Sequence, residues 1–203
     1  RPTRLSAWCL GKLGFARPRS VRRTARVELA PLADDRRDCL RVWSGGRTGP
    51  EYFLLECRRR EGRDAALPGS GLAVWHVDER QSANATAQAP LVALVQADGA
   101  RELERNRNAG DAGDLFPGAR GVRRFDDDTS PSARARDGAP TGVALEDIAE
   151  TQTGVSLRVE IAASGARSTR SPRARRPARR AAKPRRARGR ARARPRAGRP
   201  RTR

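Results

Sequence analysis

Forty residues at the C-terminal end, Ser164 to Arg203, contain no acidic residue and no Leu, Ile, Val or aromatic side chain. Such a segment has nothing with which to build an apolar core, so it cannot offset the entropy of ordering its backbone. It is expected to be a disordered tail, and it shows no fixed repeat period that would suggest a solenoid or collagen. The tail also distorts the charge balance of the whole chain. The sequence carries 44 Lys and Arg against 23 Asp and Glu, a formal net charge of +21. Eighteen of the basic residues fall in the tail, leaving 26 basic and all 23 acidic side chains in residues 1–163. The body is therefore nearly neutral, and the whole chain is not a basic nucleic-acid-binding fold.

A body of about 160 residues is one ordinary domain, large enough to bury a core without metal or disulfide staples. Its apolar runs are all shorter than the roughly 18 residues needed to span a bilayer. The chain begins Arg1-Pro2-Thr3, contains no methionine and opens on no signal peptide. This start is expected to reflect a missing upstream segment. Lys12 and Lys183 are the only lysines, and the Arg/Ala/Gly/Pro bias fits a GC-rich genome as well as selection for guanidinium chemistry.

The pattern along the body predicts a mainly β fold. Leu5 to Gly14 reads as a short N-terminal helix with Thr3 as N-cap, and Leu5, Trp8, Cys9 and Lys12 or Leu13 form its stripe. Pro18 ends it. Strands are expected at Ala25–Ala30, Asp38–Trp43, Tyr52–Arg58, Gly71–Val77, Pro90–Gln96, Gly142–Ile148 and Val155–Ile161. Turn chemistry separates them, as at Ser44-Gly45-Gly46, Pro68-Gly69 and Asp98-Gly99. Seven short strands with such turns imply an antiparallel β-sandwich-like domain over residues 1–163. The stretch from Ala97 to Thr141 is too long for a plain hairpin loop and is expected to carry a ligand or function of its own.

The catalytic options are narrow. His76 is the single histidine, so a HExxH zinc site, which needs two imidazoles one helical turn apart, is impossible in this chain. Gly69-Ser70-Gly71 is not the G-x-S-x-G nucleophile elbow. Ser70 reads as a turn residue and His76 as a strand residue held by structural hydrogen bonds. Neither Walker nor dinucleotide-binding glycine patterns occur. Cys9, Cys39 and Cys57 lack CxxC spacing and read as small buried hydrophobes, with one intramolecular disulfide at most.

Two segments have ligand-binding character. Asn106 to Asp114 is acidic and glycine-rich, and Asn108, Asp111 and Asp114 are either solvated turn residues or candidate calcium ligands, with Asp98 and Asp126-Asp127-Asp128 available to complete the shell. The spacing is not that of an EF-hand loop. The tail, represented by Arg175, Arg176, Arg179, Arg180, Arg185 and Arg186, either binds anionic polymers or surfaces by counterion release or is an unselected extension of GC-rich coding sequence. Without interleaved aromatic rings such binding would be independent of base sequence.

Several stretches together resemble a known family. Glu51-Tyr-Phe-Leu-Leu-Glu56 and Asp64-Ala-Ala-Leu-Pro-Gly-Ser-Gly-Leu-Ala-Val-Trp-His-Val-Asp-Glu79 are similar to secreted bacterial zinc metallopeptidases of the immune inhibitor A type. The family patterns are E-Y-[FY]-L-[LI]-E-N-R and G-L-P-G-S-G-L-[LA]-[IV]-W-H-[IV]-D-E. Leu94–Gly99, Asn108–Gly118 and Leu5–Phe15 continue the resemblance, which spans most of residues 3–162; Cys57 and Phe15 replace the family's Asn and Trp. In that family the HExxH helix lies upstream of these motifs. The resemblance therefore implies a secreted, non-zinc C-terminal portion of such a peptidase, a fragment or degenerate member not proteolytic by itself. Zinc is implied only for a full-length member, whose upstream catalytic segment would be the partner. The family's calcium dependence implies the same ligand for the Asp111/Asp114 loop.

Overall fold

The computed structural model describes residues 3–32 and 38–162. The expected tail disorder and its six named arginines lie outside the described residues. Among the described residues eight strands form two sheets: β1 (Arg19–Ser20), β2 (Ala25–Leu29), β3 (Cys39–Val42), β4 (Glu51–Arg58), β5 (Gly71–Asp78), β6 (Val92–Leu94), β7 (Val143–Glu150) and β8 (Val155–Ile161). One sheet has the order β1-β3-β4-β5-β6 and the other β2-β8-β7. All pairings are antiparallel except β1 with β3. The mainly β, sandwich-like architecture expected from the sequence is the one observed, and each of the seven predicted strands has its counterpart.

The two sheets close on one apolar core. The five-stranded sheet contributes Leu40, Val42, Phe53, Leu55, Leu72 and Val74; the three-stranded sheet contributes Leu29, Leu145, Ile148, Val155, Leu157 and Val159. Phe116 and Phe125, from the long segment after β6, fill the space between them, and Phe125 meets Phe53 edge-on at 5.2 Å between ring centroids. That segment is thus partly core. It is tied down where Leu72 and Phe116 exchange backbone hydrogen bonds, and where Phe125 and Leu145 do the same.

A second, smaller core lies on the other face of the five-stranded sheet. There Cys39, Tyr52, Leu54 and Val77 pack under α1 (Ala7–Lys12) and Leu32. Covered on both faces, β4 is buried at every position, which is why apolar Tyr52–Leu55 shows no alternation, while Glu51, Glu56 and Arg58 are buried charged groups. Cys39 and Cys57 belong to opposite cores, so they point away from each other through the sheet. All three cysteines are free thiols.

The helix differs in detail from its sequence signature. Its N-cap is Ser6, whose Oγ accepts a hydrogen bond from the Cys9 amide at 3.3 Å, not Thr3. Its buried residue is Ala7, with Trp8 and Leu10 packing beside it, while Leu5 and Leu13 are about half exposed at 49% and 59%. The reason lies on β4. Glu56 is fully buried and accepts from the Ala7 amide at 3.0 Å and from Trp75 Nε1 at 2.6 Å. Arg58, next to it on the same face, makes a two-pronged pair with Asp64 at 2.9 Å and donates to the Arg4 carbonyl at 3.1 Å. This buried polar network anchors the start of the helix by its backbone and leaves Leu5 and Leu13 of the expected stripe turned away from the sheet, while Trp8 still packs against it.

Candidate functional site

The long segment begins where β6 ends and folds back on itself. The Ala97 amide donates to the Asp114 carbonyl at 2.9 Å and the Asp98 amide to the Gly113 carbonyl at 3.2 Å. These two bonds bring Asp98, at the start of the segment, against the Asn108–Asp114 turn. The result is a cluster of carboxylates from Asp98, Glu102 and Asp111, each offering one oxygen within 4.8 Å of the others. The approach is close: a Cβ on Gly113 would lie 2.8 Å from an Asp98 oxygen and 3.0 Å from an Asp111 oxygen. A side chain at Gly113 would push these two carboxylates aside.

The residues singled out by sequence take distinct places in this loop. Asp111 is in the cluster. Asn108 donates through Nδ2 to both Glu102 and Asp111 at 3.0 Å, bridging two carboxylates, while its Oδ1 accepts from Gly110. Asp114 is buried behind the turn and accepts from the Asp111 amide at 2.8 Å. Burial raises the Asp114 carboxyl above its usual range; the Asp111 amide opposes this, and the charges of Asp111, Asp98 and Glu102 add to it. Negative charge is therefore concentrated, and a hard cation with oxygen ligands fits this donor set.

Asp126, Asp127 and Asp128 are not brought to the loop. Asp126 pairs with Arg124, and Asp128 faces Arg134 at 3.5 Å. Asp127 accepts from the Thr141 and Gly142 amides at 2.9 and 2.8 Å, fastening the end of the long segment to β7. Glu102 was not singled out from sequence. Its signal was its position between the Asp98-Gly99 turn and Asn108, inside the stretch already marked as too long for a plain loop.

His76 lies on β5, buried beside Phe53 at 4.7 Å between ring centroids. Its Nε2 is 3.0 Å from Glu51 Oε1. Burial, reinforced by the positive charge of Arg136, lowers its pKa to about 4, with Glu51 pulling the other way. At neutral pH the ring is uncharged and donates its single proton to the Glu51 carboxylate. Glu51 also accepts from the Arg136 amide at 2.6 Å and from the Arg80 side chain. His76 is thus a buried strand residue with Glu51 as hydrogen-bond partner. Ser70 accepts from the Arg60 amide at 3.1 Å in the turn before β5, and roughly 17 Å of strand separates Gly71 from His76. The two do not form a nucleophile–base pair.

No family model matches this chain, and no curated protein matches it. Among the described residues no helix is long and apolar enough to cross a membrane.

Proposed function

We propose that this chain is the β-rich, non-zinc portion of an exported metallopeptidase of the immune inhibitor A type, stabilised by calcium at the Asp98/Glu102/Asp111 loop and not proteolytic by itself. The observation that supports this reading most is how the segments carrying the resemblance meet in space. Glu51–Glu56 and Gly71–Asp78 are paired along β4 and β5, β6 follows on the β5 edge, and Asp98 folds onto Asn108–Gly118. Patterns far apart in sequence thus form one continuous unit of sheet and loop. One histidine leaves no HExxH in this chain. The test is a peptidase assay on an unfolded protein substrate with added zinc and calcium. The expected result is no turnover; hydrolysis by this chain that a zinc chelator abolishes would overturn the reading.

A second reading rests on the 18 basic residues after Ala163. The chain binds polyanions through this segment, Arg175, Arg176, Arg179, Arg180, Arg185 and Arg186 among the contacts. Deleting Ser164–Arg203 is expected to weaken heparin binding; unchanged affinity would eliminate this reading.

A further inference from the structure

Among the described residues three large apolar side chains are exposed, Leu5 at 49%, Leu13 at 59% and Phe15 at 55%, and all three belong to the N-terminal element. Single exposed leucines are ordinary on a protein surface, whereas grouped ones mark an interaction site. Leu5 precedes α1. Leu13 and Phe15 follow it two residues apart, so their Cα atoms lie within about 7 Å of each other whatever the side chains do. The turn that carries them is well fixed. Leu13 donates its amide to the Cys9 carbonyl at 3.0 Å and Gly14 to the Gly11 carbonyl at 3.1 Å, while Phe15 and Ala16 both donate to the Leu10 carbonyl, at 2.8 and 3.1 Å. Gly14 has a φ of 77°, the left-handed conformation that reverses a chain after a helix. Ala16 is buried and pins the turn to the smaller core. The four residues before it, Lys12 to Phe15, are all exposed, and a Cβ on Gly14 would meet nothing within 4 Å. The turn is anchored at its base and stands in open space at its tip.

The charge along this part of the chain has one sign. Residues 3–27 carry seven basic side chains and no acidic one. Two of the seven, Lys12 and Arg17, bracket the tip and are exposed. Carboxylates from other elements do reach the neighbourhood: Glu79, after β5, pairs with Lys12 at 2.9 Å, and Asp38, before β3, pairs with Arg19 at 3.0 Å. Both pairs lie at the surface, where an ion pair is worth little against water, so neither withholds its cation from another anion. The tip therefore combines two exposed apolar side chains with cations on both sides.

We propose that the Lys12–Arg17 turn docks the domain on the surface of a bilayer containing anionic lipid, with Leu13 and Phe15 entering the interfacial region and Lys12 and Arg17 facing the headgroups. Apolar side chains flanked by cations are what such an interface accepts. A tip standing in open space needs no pocket in its partner, and a fluid lipid surface supplies none. A second copy docked through the same turn would set Lys12 and Arg17 against their own counterparts, like charge on like. No described helix is long and apolar enough to cross a bilayer, so the contact made by this turn is peripheral, and with two apolar side chains it is weak and reversible. The proposal stands apart from both readings above: it uses neither the peptidase resemblance nor the basic residues after Ala163.

The test uses the full chain and co-sedimentation with vesicles of phosphatidylcholine mixed with phosphatidylglycerol. The main variant, Leu13→Ser with Phe15→Ser, changes no charge, so any binding through the C-terminal basic residues is the same as in the parent and the difference reports on the tip. It is expected to lower vesicle partitioning about tenfold, with a melting temperature equal to the parent's because both side chains are more than half exposed. Arg17→Glu is expected to lower binding to the mixed vesicles about fivefold or more and to leave binding to phosphatidylcholine alone unchanged. A direct measure of insertion comes from Phe15→Trp, a variant that keeps an aromatic ring at the tip. Its added emission is expected to be quenched by vesicles brominated on their acyl chains. Equal partitioning of the parent and the serine variant overturns the proposal and leaves the heparin test of the C-terminal segment unaffected. Emission from Phe15→Trp that brominated lipid quenches no more than the parent's also overturns it, even if the serine variant folds poorly. Self-association of the parent that the serine variant loses, measured by light scattering without lipid, would assign the tip to a second copy and overturn the lipid assignment.

Discussion

The carboxylate of Glu56, in the middle of the sheet, accepts a hydrogen bond from the amide of Ala7, the first residue of the N-terminal helix, at 3.0 Å. A fully buried acidic side chain thereby sets where α1 begins and which way it faces. Burial raises the Glu56 carboxyl above its usual range, with Arg58 the main opposing influence. Glu56→Ala is expected to cost about 3–5 kcal/mol, because Arg58, Trp75 Nε1 and the Ala7 amide would be left buried around an empty place. Glu56→Gln, which keeps one acceptor, is expected to cost less. Urea denaturation of the two variants beside the parent gives the order; equal stability of the alanine variant and the parent would remove the anchoring role.

His76 predicts a pH dependence with a definite sign. Its folded pKa is lowered to about 4 from an ordinary value near 6.5, so the unfolded chain takes up the proton first. The stability it contributes is present above about pH 6.5 and is lost as pH falls toward 4, up to about 3 kcal/mol in all. Urea midpoints measured between pH 7 and 4.5 should fall. In His76→Gln, whose amide can still donate to Glu51, that part of the decline should disappear.

The acidic loop predicts a response to calcium. At about a hundredfold excess over its dissociation constant, the ion would add about 2.7 kcal/mol, or roughly 5–10 °C in melting temperature for a chain of this size. Asp111→Asn should abolish the shift, and Asp126→Asn, outside the cluster, should leave it intact. A melting temperature that calcium does not move would remove the ion from the proposed function.

Thiol reactivity should divide the three cysteines. Burial pushes the Cys39 thiol up to about 11 and the Cys57 thiol up to about 12, so both stay protonated and enclosed at neutral pH. Cys9 is only partly buried. One thiol, Cys9, is expected to react with an aromatic disulfide reagent in the native protein, and three after denaturation; mass mapping of the labelled peptide identifies it.

Gly71 offers a backbone test. Its φ is 138° and a Cβ there would overlap the Phe116 carbonyl oxygen, at the point where Leu72 and Phe116 exchange hydrogen bonds. Gly71→Ala is expected to cost about 1–3 kcal/mol for the strained backbone alone, and more if the Phe116 contact opens. Thermal melting checks it.

Local chemistry made the strands legible. Period-two patterns and Gly/Pro turns mark each of the seven predicted strands to within about two residues at each end, because both signals act over a few neighbours. The two-residue β1 was missed, since Arg19–Ser20 has no pattern of its own and exists through parallel pairing with Leu40–Arg41. The helix was placed but its cap was not. Thr3 and Ser6 have similar capping chemistry, and only the distant Glu56 favours the later start. Asp111 was recognisable as an acidic turn residue, whereas Glu102 joined it only when the Asp98 backbone was fastened to Gly113.

The sequence by itself determined the β class, the division between a nearly neutral body and a basic C-terminal segment, and the exclusion of a HExxH centre by a lone histidine. Each of these follows from composition or from interactions between close neighbours. The tertiary structure alone decided the order of the strands, the two cores on either side of β4, and the carboxylate cluster at Asp98, Glu102 and Asp111. Those features depend on contacts between residues far apart in the chain. Such contacts are fixed by the total free energy of burial and hydrogen bonding, and no local pattern carries that information.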